Sequence, residues 1–149
     1  MSELRQKAVA LLARREHTRA ELLRKLAPHG TPDEIDAVIT QLQSVGLQSD
    51  TRFAEAYLRS KAGRLGPARL RQTLRQKGVD AETVSEQLDA ADLPDEIDQA
   101  RAVWVRKFGN APADAKEWAK QARFLQTRGF SSSVIRRLLK DAGEMETDE

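Results

Sequence analysis

The sequence predicts an all-α protein built from three tandem three-helix units that resemble helix–turn–helix motifs. One phrase, a helix-capping residue followed by apolar residues four and eight positions later, occurs within residues 15–26, 63–74 and 128–139. Glycines, prolines and capping residues divide the rest of the chain into short segments with one apolar face. No alternation of apolar and polar residues is long enough to predict a β-strand. Stacked units of this kind are typical of proteins that bind extended partners, such as filaments or nucleic acids.

The repeated phrase also predicts where the units begin and end. Its capping residues are Thr18, Gly66 and Ser131, and its apolar pairs are Leu22 with Leu26, Leu70 with Leu74, and Ile135 with Leu139. Grouping the helices in threes gives units at residues 1–48, 49–92 and 93–143. The acidic residues 144–149 that follow are predicted to be a disordered tail.

Capping signals place the three helices of the first unit. The first helix is predicted at residues 2–15, where apolar residues share one face. Thr18 caps the second helix, and Glu21 three positions later completes a capping box. Thr31 caps the third helix, with a proline at its first position, and Gly46 ends it.

Similar signals place the helices of the second unit. The fourth helix begins at Ser49 or Asp50. Pro67 fits the first position of the fifth helix, and Gly78 ends that helix. Asp80 then caps the sixth helix, since an aspartate side chain accepts hydrogen bonds from a free helix start.

The third unit follows the same scheme. The seventh helix follows Pro94 and stops at Gly109, and the eighth covers about residues 114–128. Ser131 begins the ninth helix, and we expect regular structure to end after Gly143. The nine helices thus form three groups of three.

Composition argues against several functional classes. The chain of 149 residues has no cysteine, which excludes disulfides and thiolate zinc sites, and it has no apolar run near the length of a membrane span. Its first residues lack the apolar segment of a signal peptide. We therefore expect a soluble, cytoplasmic protein without membrane contact.

No constellation of residues predicts an enzyme. His17 and His29 are the only histidines; both fall at predicted turns, where surface or capping roles are expected, and neither has a metal-ligand spacing. Gly63 to Pro67 lacks the lysine and hydroxyl residue of a phosphate-binding loop. We accordingly predict no catalytic residue, no cofactor, no metal and no small-molecule substrate.

Four aromatic residues are candidate platforms for nucleic-acid bases. Trp104, Trp118, Phe124 and Phe130 all lie at positions compatible with a helical core. We therefore expect them to pack inside the protein, with base stacking as the less favoured interpretation.

Charge alternates in sign along the chain. Residues 52–78 carry eight basic side chains and one acidic one, whereas residues 79–98 carry no basic side chain and eight acidic ones. The segments 1–27, 28–51, 99–140 and 141–149 carry net charges of +4, −4, +8 and −5. A segregated pattern of this kind suits a partner that is itself charged and repetitive, although solvated faces with local ion pairs are the alternative.

The basic residues of the repeated phrases are the candidate contacts. They are Arg19, Arg24 and Lys25 in the first copy, Arg64, Arg69, Arg71, Arg75 and Lys77 around the second, and Arg136 and Arg137 in the third. Arg71 and Arg75 are one helical turn apart, and like charges at that spacing destabilise a helix. Their presence favours a polyanionic or acidic partner. The alternative is a solubilising face whose aliphatic stems cover Leu70 and Leu74.

Four phrases, taken in order, resemble the RecX regulatory proteins of bacteria. They are REHTRAEL at 15–22, DTRFAEAY at 50–57, GPARLRQ at 66–72 with KGV at 77–79, and LQTRGFS at 125–131. The resemblance covers nearly the whole chain. It departs from the usual pattern at Thr18, where many members have serine, and at Ser133, where many have an acidic residue.

The resemblance implies a fold and a partner. RecX proteins consist of three three-helix units in an elongated, curved array, and they bind in the groove of the RecA recombinase filament. They suppress its ATP hydrolysis, strand exchange and co-protease activity, which would place this chain in recombination, DNA repair and the SOS response. The implied partners are the RecA filament and single-stranded DNA, contacted directly or through the filament.

Two other functions are consistent with the residues. One is a stand-alone DNA-binding protein that uses its tandem helix–turn–helix units, with the fifth helix in the major groove. The other is a helical adaptor that binds an acidic protein and never contacts DNA. No group of Asn, Gln and Arg at a helix start predicts base recognition, which favours the filament regulator.

Overall fold

The computed structural model describes residues 2–147, apart from the side chains of residues 146 and 147. Within that range it contains nine α-helices and no strand, as predicted. The helices are α1 (Glu3–Arg14), α2 (Arg19–Leu26), α3 (Pro32–Ser44), α4 (Asp50–Lys61), α5 (Pro67–Gln76), α6 (Ala81–Ala90), α7 (Glu96–Lys107), α8 (Ala115–Thr127) and α9 (Ser132–Thr147). A short 3-10 helix, Ala27–His29, follows α2.

The predicted helix starts are confirmed by hydrogen bonds. Thr18 and Thr31 each form a complete capping box with the glutamate three residues later. The carboxylates of Asp80 and Asp114 accept bonds from the backbone N–H groups of Thr83 and Glu117. Helix starts were therefore predictable to within a residue because short-range side-chain chemistry determines them.

The C-terminal helix extends further than predicted. α9 continues through Gly143 to Thr147, so the prediction that the chain loses regular structure after Gly143 is wrong for residues 144–147. Ala142 of α9 packs against the apolar cluster of the second compact unit, and a glycine within a helix costs only about 1 kcal/mol relative to alanine. A single glycine at position 143 is therefore not enough to end this helix. Residues 148 and 149 lie outside the described residues.

The chain divides into two compact units. One comprises Met1–Arg59 and Thr73–Ala91, and the other comprises Ser60–Gln72 and Asp92–Glu149. This division differs from the three predicted units, because the beginning of α5 belongs to the second compact unit and its end belongs to the first.

Each compact unit has an apolar cluster. In the first unit, α1, α2 and α3 contribute Leu4, Ala8, Leu22, Leu26, Ile35, Ile39 and Leu42. In the second unit, the cluster consists of Ala100, Val103, Trp104, Leu125, Phe130, Ile135, Leu138 and Leu139. All six apolar residues of the repeated phrase are buried, as their helical spacing predicts.

In the first compact unit, the start of α2 packs against the turn between α5 and α6. The Thr18 hydroxyl donates a hydrogen bond to the Lys77 carbonyl at 2.6 Å. The turn passes through Gly78 with φ +100°, and a Cβ atom at that position would lie 2.4 Å from the Cβ of Ala20. Only glycine fits this turn, because it must be both left-handed and in close contact.

The second compact unit repeats this junction between the start of α5 and the turn from α8 to α9. The backbone N–H groups of Gly66 and Ala68 donate to the carbonyls of Arg128 at 2.7 Å and Gly129 at 3.3 Å. Gly129 has φ +99°, and a Cβ atom there would lie 2.3 Å from the Cβ of Arg69. The repeated phrase therefore encodes a helix start that binds a glycine turn.

Replacing Gly129 by alanine should destabilise the second compact unit by about 2 kcal/mol or more, since the new methyl group overlaps α5 and the left-handed backbone becomes strained. Urea unfolding followed by tryptophan fluorescence measures this, because both tryptophans belong to that unit. Gly63→Ala is the matched control, since a Cβ atom at Gly63 meets no atom within 4 Å. Equal midpoints for the two variants would contradict the steric argument.

Candidate functional site

The structure separates the ten predicted contact residues into two groups. Eight are exposed, namely Arg24, Lys25, Arg64, Arg69, Arg71, Arg75, Arg136 and Arg137. Arg19 and Lys77 are half-buried and form ion pairs within the first compact unit.

Arg19 joins α2 to α3. Its guanidinium forms an ion pair with Asp36 and donates to the Thr40 hydroxyl at 3.1 Å. Its backbone N–H donates to the Asp50 carboxylate at 2.8 Å. These contacts give Arg19 a structural role and leave its charge largely neutralised.

Lys77 helps to neutralise the buried carboxylate of Glu21. The side chain of Glu21 is 4% exposed and accepts hydrogen bonds from the Thr18 backbone N–H at 3.0 Å and the Arg15 guanidinium at 3.3 Å. The Lys77 ammonium lies 3.8 Å away. Burial acts to raise the pKa of Glu21, but these donors outweigh it and the pKa lies below its usual value. The sequence showed Glu21 only as part of a capping box and gave no signal for its two cations.

His17 is buried, which contradicts the predicted surface or capping role. The residue is 1% exposed, and its Nδ1–H donates to the Arg15 carbonyl at 3.0 Å. Its Nε2 atom therefore accepts a hydrogen bond from the Lys25 ammonium at 3.1 Å. Burial lowers the pKa of His17, and the charges of Arg15 and Lys25 lower it further, against the opposing effect of the backbone bond. His17 is thus a neutral core residue with no signature in the sequence.

Stability of the first compact unit should fall as pH decreases below about 6.5. The folded state holds the pKa of His17 below the unfolded value of 6.5, so the unfolded state binds the proton more readily in that range. His17→Asn cannot titrate and should lose part of this pH dependence. Chemical denaturation followed by circular dichroism at pH 7.5 and 5.5 measures the difference.

Exposed His29 provides the matched control for this measurement. His29→Asn should keep the dependence of the unsubstituted protein. If His17→Asn loses as much stability on acidification as the unsubstituted protein, His17 does not account for the effect.

A basic groove of about 270 Å³ lies between α1 and α2 in the first compact unit. Its apolar floor is formed by Ala10, Leu11 and Leu26. Its rim carries Lys7, Arg14, Lys25 and His29. The predicted contact Lys25 thus borders a surface suited to an anionic group with an apolar part. Its ammonium also donates a hydrogen bond to His17.

Three arginines of α5 and of the loop directly before it have no acidic partner among the described residues. Within residues 2–147, no carboxylate lies within 4.0 Å of Arg64, Arg69 or Arg71. Arg75 differs, because its guanidinium donates to the Val79 carbonyl at 3.2 Å and thereby closes the end of α5. Unpaired guanidinium groups on a helix surface are available to carboxylates or phosphates of a partner.

The structure corrects the prediction for one of the four aromatic residues. Trp104 and Phe130 are buried, and Phe124 stacks edge-on against Phe108 with ring centroids 5.4 Å apart. Trp118 is 38% exposed and does not belong to the apolar cluster. Helical spacing alone could not distinguish Trp118 from its buried neighbours.

The described residues form neither a metal-binding cluster nor a membrane-spanning helix. Among the described residues, no three His, Cys, Asp or Glu side chains are grouped so that they could hold a metal ion. None of the described helices has the length and apolarity needed to cross a bilayer.

The fold defines a helical protein of tandem three-helix domains, whose surface carries arginines without an acidic partner among the described residues. Family models match these domains in order: the first three-helix domain of RecX at residues 5–42, the second at 49–88 and the third at 94–139. The chain belongs to the RecX family of regulatory proteins.

Individual relatives agree with this assignment. "Regulatory protein RecX" of Leptothrix cholodnii is 49% identical over 92% of this chain and 87% of its own length. The protein of the same name from Chromobacterium violaceum is 46% identical over 91% and 88% of the two chains. The crystal structure of RecX from Lactobacillus salivarius superposes with a TM-score of 0.75 over 95% of both chains at 22% identity, which supports the fold.

Proposed function

We propose that the protein binds the RecA–DNA filament and inhibits or modulates the recombinase, including its ATP hydrolysis, strand exchange and co-protease activity. The observation that carries this proposal is the match to all three RecX domains in order along the chain. The regulatory role named for its relatives is extended here to this chain.

The cations without internal partners support an acidic partner. Arg19 and Lys77 serve the fold, whereas Arg64, Arg69 and Arg71 have no carboxylate within 4.0 Å among the described residues. A cluster of like charges raises the free energy of the isolated protein, and an acidic protein surface or a phosphate backbone lowers it on binding. We therefore assign the filament-facing role to the exposed group of arginines.

Regulation requires a difference in affinity between filament states. A ligand that binds two states equally shifts no equilibrium, however tightly it binds. The protein must therefore prefer one state of the filament, such as the form that does not hydrolyse ATP. A repeated junction that fixes each helix start against a glycine turn provides a rigid surface for such discrimination.

The first test is ATP hydrolysis by purified RecA on single-stranded DNA with this protein titrated below DNA saturation. The proposal predicts inhibition at a low ratio of protein to recombinase. No inhibition together with tight, salt-dependent binding to DNA alone would favour a stand-alone DNA-binding protein. About five phosphate contacts on a single strand would give a slope near −3.5 in a plot of log K against log salt.

Charge reversal tests the arginine surface. Arg71→Glu should raise the protein concentration needed for half-maximal inhibition about tenfold, because an attractive contact becomes repulsive. Arg71 is a better target than Arg75, whose guanidinium also closes α5.

Arg123→Glu is the matched control, since Arg123 is an exposed arginine of α8 outside the predicted contact set. It should inhibit like the unsubstituted protein. Equal inhibition by the two variants would remove Arg71 from the interface.

A further inference from the structure

The second compact unit has a groove that contains only one of the predicted contact residues, Arg136. It has a volume of about 510 Å³, and Ala111, Pro112 and Leu139 form its apolar floor. Trp118 of α8 stands on one side. The groove is open and falls within the size range of small-ligand sites.

Trp118 has an unusual position for a large aromatic residue. The other tryptophan, Trp104, is 7% exposed and donates its indole N–H to the amide oxygen of Gln121 at 2.8 Å. Trp118 is 38% exposed and lies in the groove wall. The exposed part of the indole lacks the stabilisation that burial would provide, so this position favours a partner that covers that part of the ring.

Two cations of α9 line the same groove. Arg136 and Lys140 are four residues apart and thus face the same side of the helix, about 6 Å apart at their Cβ atoms. No carboxylate lies within 4.0 Å of either cation in the described part of the chain. Arg137 on the same helix differs, because its Nε atom lies 3.9 Å from the Asp141 carboxylate and it does not line the groove.

We propose that this groove binds single-stranded nucleic acid. One base stacks on the indole of Trp118, and Arg136 and Lys140 hold the flanking phosphates. An aromatic platform beside unpaired cations is the usual arrangement for single strands, whose bases are free to leave the stack. A duplex presents phosphates but no exposed base face, so it can contact the two cations but cannot stack a base on the indole. The carboxylate of Glu144 also lines the groove and weakens the binding of phosphates.

This site deepens the proposed function by assigning a direct DNA contact to the third three-helix domain. An acidic protein segment would satisfy the cations but has no base to cover the indole. The free chain of a nucleic acid satisfies both, which is why it is the favoured occupant.

The experiment uses the full chain and an oligothymidylate of about 16 nucleotides, within the range bound by single-strand-binding folds. Binding is followed by fluorescence anisotropy of the labelled oligonucleotide, and stacking by quenching of intrinsic tryptophan emission. With two tryptophans in the chain, one of them buried, Trp118→Phe removes the exposed emitter. The oligonucleotide should quench the unsubstituted protein and leave the emission of Trp118→Phe unchanged.

Affinity separates stacking from charge. Trp118→Ala should weaken binding roughly tenfold, while Trp118→Phe retains an aromatic face and stays closer to the unsubstituted protein. Arg136→Ala with Lys140→Ala should lower the magnitude of the salt slope by about 1.4. Arg137→Ala, the matched control, should change the slope little. Glu144→Gln should tighten binding.

Three results would overturn the inference. Trp118→Ala could bind the oligonucleotide as tightly as the unsubstituted protein, or quenching could be absent although binding occurs. A duplex of equal length or a polyglutamate peptide could bind in the groove more tightly than the single strand, as judged by Trp118 quenching.

The inference and the proposed function fail separately. If oligonucleotide binding depends on Trp118 but the protein has no effect on RecA, the binding site is supported and the regulatory function is contradicted. If the protein inhibits RecA but DNA does not quench the emission of Trp118, the regulatory function is supported and the DNA site is contradicted.

Discussion

Contact between a helix start and a left-handed glycine turn is the constraint on which the rest of the structure depends. At Gly78 and Gly129, the turn approaches the neighbouring helix so closely that no side chain fits. Each contact fixes the register of one helix against the following three-helix domain. α5 contributes its start to one junction, and the turn after its end contributes to the other. The repeated phrase therefore specifies how a helix start packs against a glycine turn. Its basic residues occupy fixed positions relative to that contact.

The polar part of the first junction explains why equally basic residues serve different purposes. Glu21 is buried beside the start of α2, and a buried carboxylate is tolerated only when donors compensate for lost hydration. Arg15 and Lys77 are these compensating groups for Glu21. In the same way, Asp36 neutralises the charge of Arg19. The second junction has glycine in place of Thr18 and uses backbone bonds alone. Its neighbouring arginines, Arg64, Arg69 and Arg71, consequently have no carboxylate within 4.0 Å among the described residues.

The sequence predicted the local structure better than the surface. Capping boxes and terminal glycines act over three to five residues, so the nine helices and their starts could be predicted from neighbouring residues. The burial of His17 and the exposure of Trp118 depend on elements distant in the chain, and the same helical periodicity fits either outcome. The end of α9 was missed for a related reason, since Gly143 indicates a helix end locally, whereas the packing of Ala142 against the apolar cluster is not visible in neighbouring residues. Long-range packing accounts for each of these differences.

Charge alternates in sign along the chain, so the proposed acidic partner would meet attraction and repulsion in neighbouring helices. Glu82 and Glu86 on α6 are exposed and, among the described residues, have no cation within 4.0 Å. A phosphate chain is therefore attracted by the arginines of α5 and repelled by α6, and the near-neutral total limits its adsorption elsewhere. Specificity that combines attraction with repulsion discriminates more strongly than attraction alone. A uniformly basic protein would attract any nucleic acid, whereas the electrostatics of this pattern favour a partner whose charges match both signs.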